Sequence, residues 1–448
     1  MDQAFSVSNL RKIINADNEK GGNLEEKYIP KAHEIKIRLK EFLNSLLTSK
    51  KLFKSKKISF TTHERRKNRL NFLLHGWKQR YEAVVTKELE AISKTIGRKD
   101  FKVKLIEHPT KISDKRVYGI ESDLPQILAM RFVQLTLKSI YDLKMPPRDA
   151  LVSQIKSLSL DGVPKLIIRA DVESFYESVR HEGLLDHIHK SSDLSVDIKR
   201  VITRLLNDYK RISGSEKGLP RGVGVSAYLA EIYLSEIDEI IKNTQDLFFY
   251  ARYVDDMVLM YAPSRPELAV TYEQGINDIM KMKGLSLNNK TKVVNALTQQ
   301  KGKFEYLGYE FDLAPGGSGV SLSHKKITKY RDRITKSFSD YNRKKKIIPK
   351  KAANELIARS LFLTGNIRLF NKKSNAFIGI YFSNKHITNT KQLKGLDSFY
   401  KNKANSISNI KLRNKLLKNS FEIGFSQKIF RSFEPKQLSE ISRGWKHG

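Results

Sequence analysis

Cysteine is absent from the 448 residues. Its absence excludes disulfides, cysteine-ligated zinc, iron–sulfur clusters and any thiol nucleophile. No apolar run approaches the roughly 18 residues that a membrane span needs. The opening Met1-Asp2-Gln3-Ala4-Phe5-Ser6 has neither a basic n-region nor an apolar h-region. A secretory signal is therefore not expected, and a cytoplasmic location is. Acidic residues are in deficit: 48 Asp and Glu face 83 Lys and Arg, which leaves +35 at neutral pH. An excess of that size implies a polyanionic partner. Nucleic acid comes first, because each phosphate that a Lys or Arg neutralises releases condensed counterions. An anionic membrane surface is disfavoured by the lack of a lipidation motif or a long basic amphipathic helix. With 40% hydrophobic residues and only 12 Pro, a disordered or fibrous chain is excluded.

Three segments differ in texture. Residues 1–100 read as a basic helical extension. Thr62 to Ile96 has no Pro and a single Gly, and Leu70, Phe72, Leu73, Trp77, Tyr81 and Val84 recur at helical spacing, as core or interdomain packing would require. Lys50 to Lys57 is expected to be a solvated loop face between helices. From Phe101 short β-type runs appear, Lys165–Ala170, Phe248–Tyr253 and Phe304–Gly308, with helical stretches such as Ser226–Lys242 and Glu267–Met282 between them. That mixture predicts an α+β domain with an antiparallel sheet over 101–312. Pro315-Gly316-Gly317-Ser318-Gly319 is the clearest break. Residues 313–448 read as helical and basic, with 12 Lys or Arg against two Asp between Lys325 and Lys351, a density suited to a phosphate backbone.

In so basic a chain, acidic residues among hydrophobes are informative. Asp171 follows the apolar run Leu166–Ala170. Asp255 and Asp256 sit between Tyr253-Val254 and Met257-Val258-Leu259-Met260, the pattern of a hairpin with two adjacent carboxylates at its tip. Asp pairs commonly just make turns, but turns have polar neighbours and these do not. Carboxylates in apolar surroundings call for a cation, and Mg²⁺, an oxygen-seeking ion, is the obvious one. Three carboxylates holding two metals are the apparatus of in-line displacement at phosphorus. No Walker A loop, HExxH pair or nucleophile elbow competes, and the ten His are scattered.

Arg252-Tyr253-Val254-Asp255-Asp256 resembles the Tyr-x-Asp-Asp box of reverse transcriptases, and other boxes occur in that family's order over about 105–312. Lys115–Ile120 resembles the fingers motif. Asp171-Val172-Glu173-Ser174-Phe175-Tyr176 resembles the first palm box. Gly218-Leu219-Pro220-Arg221-Gly222, with Ser226 beyond it, resembles the Pro-Gln-Gly box, with Arg221 where Gln is usual and Ala227 where Pro is. Leu285–Thr291 resembles the box whose Lys lies near the leaving pyrophosphate. Tyr306-Leu307-Gly308-Tyr309 resembles the primer grip.

The resemblance implies a right-hand polymerase with fingers, an antiparallel-sheet palm and a helical thumb. It implies catalytic Asp171, Asp255 and Asp256, and two Mg²⁺ ions (Mn²⁺ as substitute) on Asp171, Asp255 and the carbonyl of Val172. Nucleotide contacts would come from Lys111, Arg116, Tyr176, Arg221, Gly222 and Lys290, with Lys292 the alternative to Lys290, and primer contacts from Leu307 and Gly308. Tyr176 would exclude a ribose 2′-hydroxyl. The partners implied are RNA, a DNA product and deoxynucleoside triphosphates, with a protein partner or a second copy left open. Leu363–Asn366, Ile378–Phe382 and Leu393–Phe399 resemble the tail of bacterial unknown-group and abortive-infection-like enzymes, which implies antiphage defence with a dedicated non-coding RNA. Retrons, template-independent or protein-primed synthesis, and an inactive RNA-binding scaffold are the alternatives.

Overall fold

The computed structural model describes residues 2–112, 114–143, 147–297, 301–314, 319–371 and 374–446. The Pro315–Gly319 break lies, except for Gly319, outside them. The chain is mixed, 60% helical and 13% strand, as the alternating texture predicts. It divides into two compact units interleaved in sequence, one of residues 1–144 and 174–239, the other of 145–173 and 240–448.

The first unit is mainly helical. Helix Val7–Glu19 is capped by Ser6, whose hydroxyl accepts from the Asn9 amide, and it packs on helices Phe60–Gly97 and Leu124–Ile140. Helices Pro30–Lys54 and Phe60–Gly97 form a long hairpin, the second opened by a Ser59 cap. Two expectations are corrected here. Of the loop expected at Lys50–Lys57, Lys50–Lys54 is the last turn of a helix, because nothing between Pro30 and Lys54 breaks helical propensity, while Ser55–Lys57 are exposed and outside helix as expected. Phe72 is 80% exposed, since the buried stripe of its helix runs instead through Leu74, Val85, Leu89, Ile92 and Ile96. A short antiparallel ladder, Leu105–Glu107 with Tyr118–Ile120, completes this unit's sheet structure among the described residues.

The second unit is built on a four-stranded antiparallel sheet in the order Leu247–Tyr253, Asp256–Tyr261, Lys165–Asp171, Lys292–Ala296. Leu166, Ile167 and Ile168 are fully buried, so both faces of the central strand are covered, which explains why it reads as a continuous apolar run. A three-stranded sheet follows, Lys303–Tyr306, Tyr309–Asp312 and Val320–Leu322. Ile167, Val258 and Met260 share one core with Phe304 and Phe311 and with Ile334, Phe338, Leu356 and Tyr400 of the C-terminal helices. Beyond strand Val320–Leu322 the described chain is mainly helical as expected, but it also carries a β-hairpin, Asn366–Asn371 with Ser374–Gly379.

Helices His324–Lys344, Pro349–Thr364 and Pro435–Lys446 are joined by buried charge. Arg359 is 2% exposed and pairs with Asp340 at 2.7 Å, which also takes Arg343 and Lys344. Those partners hold the Asp340 carboxyl down at about 2 against the cost of burial. The Arg359 guanidinium lies against Gly444, where a Cβ would overlap it. Gly444→Ala must therefore displace a buried, ion-paired cation. We expect it to cost about 1–3 kcal/mol, the usual range for overpacking, seen as a lowered midpoint in denaturant unfolding.

Candidate active site

In the second unit, the strand register sets Asp171 directly opposite Asp256, with Asp256 also opposite Tyr253. The expected hairpin is present, and Asp255 lies in its turn. Val254 takes φ +61°, a left-handed conformation that a β-branched side chain resists. Arg252 holds the turn by donating from a guanidinium nitrogen to the Val254 carbonyl at 2.9 Å. The amide of Val172 donates to the Asp255 carbonyl at 3.3 Å, so backbone bonding ties the first palm box to the hairpin tip.

The side chains around these carboxylates include Arg169, outside every motif, and Asn288, inside the Leu285–Thr291 box but given no role there. Arg169 Nε stands 3.0 Å from Asp256 Oδ1, and its Nη2 stands 3.9 Å from Asp171 Oδ1. Asn288 donates its side-chain amide to Asp171 Oδ2, and its backbone amide to the Asp171 carbonyl at 2.9 Å. Burial pushes the Asp256 carboxyl up to about 6; Arg169 opposes that shift, while Asp171 and Asp255 reinforce it. Arg169 was legible as the one charge inside the run Leu166–Ala170, two residues before Asp171 and so on the same face.

A cleft of about 660 Å³ opens beside Asp171, lined also by Arg169, Lys290, Lys292, Lys303 and Lys325. Both lysines considered for the pyrophosphate position therefore face the same space. Leu307 and Gly308, both at positive φ, form the two-residue turn between paired strands. Arg148 donates to the Leu307 carbonyl, and the Ser323 amide donates to that of Gly308 at 3.1 Å. Lys326 lies over the Tyr309 ring at 4.6 Å and donates to the Ser383 carbonyl. Burial, with Arg148 and Lys329 nearby, pulls its ammonium group down to about 7. Tyr306 donates its hydroxyl to the Asp256 carbonyl at 3.3 Å, joining this turn to the Asp255–Asp256 hairpin.

The first unit holds the remaining expected residues. Phe175 is buried at 2% exposure, and Tyr176 is half-buried against it with ring centroids 5.8 Å apart. Arg221 lies over the Tyr176 ring at 4.8 Å and grips Glu177 with Nη2 at 3.0 and 3.3 Å from its two oxygens. Glu177 also draws Lys115 to 3.7 Å, and Lys115 donates to the Ser174 hydroxyl at 2.9 Å. The fingers motif and the Pro-Arg-Gly box meet where the Tyr118 amide donates to the Arg221 carbonyl at 2.7 Å. Gly222 has φ +99°, and a Cβ there would stand 2.7 Å from the Tyr118 carbonyl oxygen. Gly222→Ala should therefore push the two segments apart and raise the KM for nucleotide, with at most a few degrees lost in a thermal melt. Lys111 is exposed in the loop before Tyr118, and Arg116 pairs loosely with Glu107 at 3.6 Å.

Among the described residues no group of three or more His, Asp or Glu side chains is assembled to hold a metal unaided. The donors expected here, the Asp171 and Asp255 carboxylates and the Val172 carbonyl, would be two carboxylates and a main-chain carbonyl. All are oxygen, which suits a hard cation that takes its other ligands from water and substrate phosphates.

Residues 108–311 match the family described as reverse transcriptase (RNA-dependent DNA polymerase), so a reverse transcriptase domain is present in this stretch. The sequence matches no curated protein. Among solved structures, apo telomerase from Candida tropicalis aligns at 13% identity over 77% of this chain and 61% of its own, with a TM-score of 0.39. A form of it truncated from the C-terminal domain aligns at 15% over 50% and 55%, TM-score 0.36. Telomerase from Candida albicans in complex with a fragment of telomeric RNA aligns at 12% over 83% and 66%, TM-score 0.33. The chain thus spans between about half and two thirds of these telomerase chains. Among the described residues, no helix is long and apolar enough to cross a membrane.

Proposed function

We propose that the chain is an RNA-directed DNA polymerase of right-hand architecture, joining deoxynucleotides to a primer hydroxyl. The observation that supports this reading is the Asp171–Asp256 pair, with Asp255 beside it, at the ends of the two inner strands of an antiparallel sheet inside the matched stretch. Asp171, Asp255 and the Val172 carbonyl would hold two Mg²⁺ ions. When bound, such ions activate the attacking hydroxyl and neutralise the leaving pyrophosphate. Asp256, neutralised by Arg169, shapes the field of the site instead. Asn288 fixes the Asp171 carboxylate, and Lys290 and Lys292 offer charge to the triphosphate. Leu307 and Gly308 would steady the primer end.

The test is incorporation of deoxynucleotides on a primed RNA template. Product should require added Mg²⁺ and vanish with chelator; a chain that binds RNA but extends nothing would be a scaffold. Arg221 favours one second reading, synthesis without an external template, because the side chain in the usual Gln position is committed to Glu177 and Tyr176. Product formed equally well without template would select it. The tail motifs support a role in bacterial antiphage defence with a dedicated non-coding RNA, which recovery of one discrete RNA species with the protein from its host would test.

A further inference from the structure

Away from the carboxylates, the hairpin Asn366–Gly379 carries a cluster of rings on the surface. Phe377 and Phe382 stack at 5.0 Å and 26°, and Phe430 closes on them at 6.0 and 5.7 Å. Phe377 is 43% exposed and Phe430 50%. Tyr381 meets Phe382 edge-on at 5.2 Å. Two cations sit on the rings, Arg368 over Phe377 at 5.6 Å and Lys428 over Tyr381 at 4.5 Å. Arg368 is the cross-strand partner of Phe377, so the pair is fixed by register.

The support beneath is tied by hydrogen bonds to neighbouring segments. Asn366 is fully buried. Its side chain donates to the Gly424 carbonyl at 3.1 Å and accepts from the Tyr381 amide at 2.9 Å. Its backbone exchanges bonds with Ile429 and Arg431 at 2.8 and 2.7 Å. A Cβ at Gly379 or Gly424 would overlap backbone, so the three segments that carry the rings lie in direct main-chain contact.

A satellite core would explain touching rings, but it would hide them, and two of these three phenylalanines present over 40% of their surface. The charge around them identifies the occupant. Residues 366–385 and 425–432 contain six Lys or Arg and no Asp or Glu. Exposed rings with Arg368 and Lys428 placed over them match unpaired bases on a phosphate backbone. A duplex keeps its base faces stacked inside and could not use the rings.

We propose that Phe377, Phe382 and Phe430 form a base-stacking platform for single-stranded nucleic acid, with Arg368 and Lys428 at its phosphates. The proposal rests on the reading that this chain handles nucleic acid, and not on polymerisation. Either template or product strand could supply the bases.

The test uses the full chain with chelator present, so that no synthesis occurs. Fluorescent oligo(U) RNA and oligo(dT) DNA are titrated at several salt concentrations. Phe377→Ala and Phe430→Ala should each weaken binding by about 5- to 150-fold, the loss that one stacked base carries, with the salt slope unchanged. Phe377→Leu should fail as Ala does, because it keeps apolar bulk without a ring face. Arg368→Ala should instead flatten the log–log salt slope by about 0.7, one phosphate of a single strand. A preference for oligo(U) or oligo(dT) that disappears in the ring variants identifies the strand. Unfolding midpoints matching the parent's keep the comparison valid, and Phe→Leu variants, which keep bulk without a ring face, replace any Ala variant that melts early. Parental affinity in a folded Phe377→Ala/Phe430→Ala double variant overturns the platform. So does a loss that appears only in the salt slope, or a sedimentation shift showing that the rings join two copies. Primer extension by the parent is scored separately, so a failed polymerase reading and a failed platform give different results.

Discussion

Asp171→Ala and Asp255→Ala are each expected to abolish nucleotide incorporation, lowering the rate by at least about 10³-fold. That corresponds to several kcal/mol of lost charge stabilisation at the reacting phosphate. The site explains why substitution should not be rescued by a neighbour. Asp256 is already matched by Arg169 at 3.0 Å, and burial holds it near 6, so its charge is less available than that of a free carboxylate. Removing Asp171 also strands the Asn288 amide and leaves Arg169 with one carboxylate instead of two, so the local field turns positive where cations must bind. Affinity for RNA should survive, since the phosphate contacts of a +35 chain would be shared among many Lys and Arg away from this site. The measurement is single-turnover incorporation beside filter binding on the same preparations. Full activity in Asp255→Ala would sink the polymerase assignment.

What the sequence made legible was local. The Asp255–Asp256 hairpin could be read because alternating and continuous apolar runs bracket the two carboxylates, and strands Leu247–Tyr253 and Asp256–Tyr261 follow those runs closely. Arg169 was readable in principle from its i, i+2 relation to Asp171. Arg148 was not, because its partner carbonyl lies 159 residues away and nothing near Arg148 marks it. The hairpin Asn366–Gly379 escaped for another reason. Its strands lie in a basic, helix-rich context, and main-chain bonds to Ile429 and Arg431, set by tertiary packing, stabilise it rather than local alternation. Phe72 shows the opposite failure: helical spacing identified the helix correctly, yet spacing alone cannot say which of two apolar stripes is buried.

Tyr176→Ala is expected to admit ribonucleotides, reducing discrimination against them by about 10–200-fold, the range for adding or removing a small steric group in a binding pocket. Tyr176 follows Asp171 by five residues, after a left-handed turn at Ser174 with φ +44° that starts a short helix. Adjacent aromatics diverge there: Phe175 is buried at 2% exposure, while Tyr176 keeps part of its surface. A phenol is costly to bury without a partner, so of the two it suits the edge of a wet cleft. The ring does not stand alone, because Arg221 covers one face at 4.8 Å and is itself held by Glu177. Glu177→Gln should therefore loosen the same discrimination by a smaller factor, without touching the carboxylates that would bind metal. Phe175→Ala should act on stability instead, costing about 3–5 kcal/mol for a buried ring. The assay compares kcat/KM for one deoxynucleotide and its ribonucleotide on a fixed primer and template. If Tyr176→Ala rejects ribonucleotides as well as the parent does, the tyrosine is a packing residue and sugar selection lies elsewhere in the chain.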